Sequence, residues 1–88
     1  MASAPGAPAR PELFHRIAET ASAEARRRLV ERGLVGRVEL RNVEFSSHAE
    51  ALRARGGSGA TPALWDGERL HQGGGPVLAA LDRLAAAP

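Results

Sequence analysis

From Arg37 to Arg41 the chain alternates strictly between charged and apolar residues, with Val38 and Leu40 set between Arg37, Glu39 and Arg41. Period-two alternation with charges requires a strand with one buried and one wet face, and that pattern belongs at the edge of a sheet. This strand, expected over Arg37–Val43, follows a segment of a different period. Between Thr20 and Arg32, Ala21, Ala25 and Leu29 recur at i, i+4 and i+8, which predicts a helix that Thr20 or Ser22 caps and Gly33 ends. Ahead of the helix, Glu12–Ile17 mixes apolar and polar types on both faces, as in a short strand covered on both sides. Strand, helix and strand within about 30 residues form a right-handed parallel crossover.

The second half adds a hairpin. Ser47-His-Ala-Glu50 has the spacing of a capping box and predicts a short helix through Ala49, Leu52 and Arg53, stopped by Gly56–Gly59. Ala60–Trp65 and Glu68–His71 flank Asp66-Gly67, the signature of a type I′ turn in which both residues take positive φ. Gly73–Gly75 predicts a flexible loop, with Pro76 at the first position of a last helix carrying Val77, Leu78, Leu81 and Leu84. The order β-α-β-α-β-β-α predicts an α/β fold: a four-stranded mixed sheet, order 2-1-3-4, with helices on both faces. Met1–Pro11, with three prolines and a glycine, is expected to be a disordered or extended tail, leaving residues 12–88 as the single domain.

Composition narrows the function classes. The chain contains no cysteine, which excludes disulfides, thiolate metal sites and thiol catalysis. The twelve basic residues are all arginine and face ten acidic ones, for a net charge of +2. The isoelectric point of 11.0 reflects the lack of Lys, Tyr and Cys to titrate between the histidines and the arginines, not a strong basic field. No nucleic-acid partner is expected, since the chain has neither a one-sided basic face nor aromatic platforms. Arg26-Arg27-Arg28 fans out around its helix and reads as a solvated face. The apolar run at Pro76–Leu81 is too short to span a bilayer, and residues 1–9 lack the charged and apolar regions of a secretory signal. No membrane association and a cytoplasmic location are the expectations. His15, His48 and His71 fall on separate elements, so no metal site is expected.

Thr61-Pro62, the run Ala63-Leu-Trp-Asp-Gly-Glu-Arg-Leu70, the glycines Gly73–Gly75 and the closing amphipathic helix stand in an order that resembles the thioredoxin superfamily, in its glutaredoxin-like branch. The resemblance covers about residues 12 to 85. It implies a thioredoxin-like fold, a cis bond before Pro62, and a ligand pocket between the start of the first helix and the Thr61-Pro62 loop. The family's two cysteines would fall near Glu19-Thr20-Ala21-Ser22, and neither is present. A hydroxyl cannot form a mixed disulfide, so the chain has no thiol–disulfide oxidoreductase activity of its own; other enzyme classes stay open.

Two function classes follow from the resemblance. One is a redox-inactive binding or interaction module with an unidentified protein partner and no cofactor. The other is a glutathione- or thiol-ligand-binding domain of the glutathione-transferase type, in which Thr20 or Ser22 stabilises a thiolate at the helix start. The implied ligand-binding residues are Glu19, Thr20, Ser22, Thr61, Pro62, Gly74 and Gly75; no catalytic residue is implied. Pro76 and Val77 replace the polar residue that the family sets after its paired glycines, which weighs against glutathione. Gly73–Gly75 before a helix lacks the Lys and hydroxyl of a phosphate loop and reads as a flexible loop ahead of Pro76. Glu19 would itself occupy an anion site at the helix start, or else stand free in a loop.

Overall fold

The computed structural model describes residues 10–87. Glu12–His15 forms β1, buried at all four positions. It is central because the chain crosses over after it: α1 (Thr20–Glu31) leads to β2 (Glu39–Asn42), which lies parallel to β1 with Leu13 opposite Leu40. After α2 (Ser46–Ala54), β3 (Ala63–Trp65) pairs antiparallel with the other edge of β1, and β4 (Leu70–Gln72) pairs antiparallel with β3. The sheet order is β2-β1-β3-β4, and α3 (Gly74–Ala86) closes the chain. The predicted α/β architecture is the observed one.

Alternation along β1 and β3 divides the core into two layers. Leu13 and Leu64 point to one face, where Ala25 and Leu29 of α1 and Val77, Ala80 and Leu81 of α3 cover them. Phe14 and Ala63 point to the other, under Leu52 of α2 with Val43. Glu12 is a carboxylate only 7% exposed. Burial of a lone charge is prohibitive, and Arg41 Nη2 at 3.0 Å and Arg55 Nε at 3.2 Å compensate it. The Arg55 guanidinium also lies 4.4 Å from the centre of the Trp65 ring, a cation–π contact that ties α2's end to β3.

Several local expectations are corrected. Val38, just ahead of β2, is buried as expected, but Leu40 within β2 is 47% exposed. The space under α1 is filled instead by Leu34, which is fully buried and whose carbonyl accepts the Val38 N–H at 3.2 Å. Pro11 is not part of a free tail: its carbonyl accepts the Glu39 N–H at 2.8 Å, prolonging the β1–β2 ladder. Of the rest of the expected tail, Arg10 is exposed and residues 1–9 lie outside the described residues.

The helix starts also differ. No side chain caps α2; Phe45 holds the cap position, and Ser47 and Glu50 lie inside the helix instead of forming a capping box. Asn42 makes the turn tight enough to start the helix early: its Oδ1 accepts the Glu44 N–H and its carbonyl the Phe45 N–H. The helix α3 begins at Gly74, so Pro76 is its third residue, a position whose N–H has no helical acceptor and is not missed. Gly73 adopts φ 97° as the cap and donates its N–H to the Pro62 carbonyl at 2.9 Å, which anchors the segment expected to be a flexible loop.

The Asp66-Gly67 turn is not type I′. Only Gly67 has positive φ, 106°, and the loop is shifted one residue along the chain: the Asp66 N–H donates to the Arg69 carbonyl at 3.1 Å, so Gly67 and Glu68 are the two loop residues. Asp66 Oδ1 accepts the amides of Glu68 and Arg69 at 2.8 and 2.9 Å. The Asp side chain thus takes over the turn's hydrogen bonding.

Candidate functional site

The carboxyl end of β1, the start of α1 and the loop entering β3 meet at one corner of the domain. They meet because β1 and β3 are neighbours in the sheet, so the chain leaving His15 and the chain arriving at Ala63 run side by side. Arg16, Glu19 and Ser22 come from the first segment, and Gly59, Thr61 and Pro62 from the second. The Thr61–Pro62 bond is cis and Pro62 is fully buried.

Glu19 sits at the cap position of α1 in extended conformation, and its side chain does not bond the helix amides. Its Oε1 accepts hydrogen bonds from the Ser22 hydroxyl and, at 2.8 Å, from Thr61 Oγ1. Ser22, fully buried, accepts the Arg16 N–H at 3.1 Å. Thr61 Oγ1 accepts Arg16 Nη1 at 2.7 Å, and the same nitrogen reaches the Gly59 carbonyl at 3.2 Å. The Ser22 bond holds the Glu19 carboxyl below the usual glutamate range; burial opposes it, and the Thr61 bond and the Arg16 charge reinforce it. A hydroxyl has one proton to donate. Both hydroxyls direct theirs to Glu19, so neither has a donor left for an incoming anion or thiolate.

The expected site residues are therefore brought together only in part. Glu19, Ser22, Thr61 and Pro62 share the corner. Gly74 lies beside it, since a Cβ there would stand 3.8 Å from Ala21 Cβ. Thr20 is the first residue of α1 and exposed, and it is Ser22, not Thr20, that is buried at the helix start. Gly75 is exposed with open space around it. Neither hydroxyl caps the helix. The residue missed in the sequence is Arg16, which binds both strands of the corner; its partners are 43 and 45 residues away, and no local pattern marks it.

The arginine cluster is corrected as well. Arg26 is not on a solvated face: Nη1 donates to His15 Nδ1 at 2.9 Å and to the Arg16 carbonyl at 3.0 Å, and Nη2 to the Ile17 carbonyl at 3.2 Å. Because Arg only donates, His15 Nδ1 is the acceptor and the imidazole is neutral with its proton on Nε2. Burial, followed by the Arg26 charge, lowers the His15 pKa accordingly. Arg28 and Arg32 both bond Asp82, joining α1 to α3 at 2.8 and 2.9 Å.

Two recesses lie away from this corner, one lined by Pro11, Leu34, Arg37, Val38 and Leu84 and one by Asp66, Glu68, Ala80, Arg83 and Leu84. Among the described residues no group of three or more His, Asp or Glu is placed to hold a metal, and no helix is long and apolar enough to cross a membrane. No family model, curated protein or solved structure matches the chain. What the fold defines is a class: a small α/β domain with a four-stranded mixed sheet and three helices.

Proposed function

We propose that the chain is a redox-inactive binding module of glutaredoxin-like, thioredoxin-fold type, acting in the cytoplasm on a protein partner and carrying no cofactor. The observation that carries this reading is the bonding of Glu19 to both Ser22 and Thr61. A carboxylate of the chain itself stands where the resemblance puts a ligand's thiolate or carboxylate, and it uses the two hydroxyl protons that a transferase-type site would need. A glutathione carboxylate entering this corner meets a like charge, and losing a charge-assisted hydrogen bond alone weakens binding about tenfold or more.

Titration with reduced glutathione, followed by the amide resonances of Thr20, Ser22, Thr61 and Gly74, tests the reading. No saturable shift is expected up to low millimolar ligand. If the four amides titrate together in the micromolar range, the thiol-ligand-binding alternative is right and the module reading is wrong. In an insulin reduction assay the protein has no turnover, because no sulfur nucleophile exists.

A further inference from the structure

We infer that β2 is a self-complementary edge through which two copies of this chain pair antiparallel about a two-fold axis at Leu40, joining their sheets. The inference does not depend on how the Glu19 corner is read. Glu39 and Val43 donate their N–H groups to Pro11 and His15 across the β1 ladder. Strand alternation then turns the N–H and C=O of Leu40 to the open side, where among the described residues nothing meets them. Its neighbours in that row are partly taken: the Val38 N–H by Leu34, and the Asn42 carbonyl by Phe45 N–H and His48 Nδ1. The free segment is short and centred on Leu40.

A two-fold interface must be complementary to itself. If Leu40 of each copy exchanges both backbone hydrogen bonds with Leu40 of the other, Glu39 falls opposite Arg41 of the second copy, and Arg41 opposite its Glu39. These are the non-hydrogen-bonded positions, where cross-strand side chains approach most closely and opposite charges stabilise. Within one copy Arg41, which also bonds the buried Glu12, lies 3.5 Å from Glu39, so both side chains already share one face of the strand, Glu39 46% exposed and Arg41 24%. The half-exposed Leu40 side chain meets its own copy on the opposite face of the sheet. A charged edge ordinarily repels other strands. In this one the order of the charges makes a second copy in this register the attractive partner.

So short a ladder makes a weak, reversible dimer, with a dissociation constant on the order of 0.1–1 mM. Sedimentation equilibrium of the whole chain from about 10 µM to about 2 mM should show the mass rising toward twice the monomer, and the Leu40 amide should shift over the same range. Glu39→Arg places like charges at both cross-strand pairs and should weaken association at least tenfold, while Glu39→Gln weakens it less. Circular dichroism of both variants should match the parent, because Glu39 is exposed. A mass that stays monomeric throughout overturns the inference and leaves the edge to a different partner. A dimer that Glu39→Arg does not weaken, or whose amide shifts fall elsewhere, overturns it equally.

Discussion

Thr61 donates its hydroxyl proton at 2.8 Å to Glu19, 42 positions earlier in the chain. That bond links the start of α1 to the loop entering β3, and the second proton that Glu19 receives comes from Ser22, three residues on. The helix start is thus tied to the loop entering β3 by side chains of the domain itself.

Glu19→Gln should therefore destabilise the domain by roughly 1 kcal/mol at neutral pH, since it keeps the shape but removes the charge from two hydrogen bonds at a partly solvated site. The Glu19 pKa is depressed in the folded state. Its contribution is thus complete above the unfolded-state value and disappears as pH falls through the folded one. Urea denaturation from neutral to acid pH should show the parent and the Gln variant converging in acid. Curves that remain parallel would show that the carboxylate contributes nothing through its charge.

The hairpin gives a second acid-sensitive group. Burial pushes the Asp66 carboxyl up, but the His71 side chain and the amides of Arg69 and Glu68 outweigh it and bring the pKa down to about 2. The sign is the same: this stabilisation is complete above the ordinary Asp value and is lost as pH drops toward about 2. Carboxyl NMR titration reads the value directly. Asp66→Ala should expose the Glu68 and Arg69 amides to faster hydrogen exchange and cost about 1–2 kcal/mol.

Glycines 57 and 75 should respond in opposite directions to alanine. A Cβ at Gly57 would stand 2.5 Å from Leu52 Cδ1 and 2.7 Å from its Cγ, and Leu52 is 1% exposed with little freedom to move away. Gly57→Ala should cost about 1–3 kcal/mol by overpacking. Gly75 lies in the first turn of α3 with open space around it, so Gly75→Ala should be neutral or stabilise by up to about 1 kcal/mol. Thermal denaturation of the two variants checks both signs.

Phe14 is the one aromatic residue fully buried in the core, between β1 and α2. Phe14→Ala should cost about 3–5 kcal/mol, a large share of what a domain this small has available. Loss of the cooperative transition in urea is the expected outcome, and Phe14→Leu should retain it at reduced stability. A Phe14→Ala protein as stable as the parent would mean that the α2 layer collapses around the missing ring.

How much of this was legible beforehand differs by element. The central place of β1 could be read because Glu12–His15 mixes residue types suited to cover on both sides, and the edge place of β2 because Glu39 and Arg41 interrupt its apolar positions. The hairpin's location could be read from Asp66-Gly67, but not its geometry. Dipeptide chemistry marks a reversal of the chain, whereas which two residues form the loop depends on what Asp66 bonds once the strands are paired. Ser47 and Glu50 had capping-box spacing without its function, because Asn42 starts the helix earlier.

The sequence by itself determined the alternation of strands and helices, the wet edge at β2, and the absence of any thiol chemistry. Those follow from side-chain period and from composition, which are local or chain-wide properties. Tertiary structure decided that Leu34 instead of Leu40 fills the space under α1, that Arg26 holds His15, and that Glu19 meets Thr61. Each of those depends on which loops the sheet order brings side by side. Period tells which face of its own element a side chain takes, but its partner across the sheet is settled only when the strands have paired.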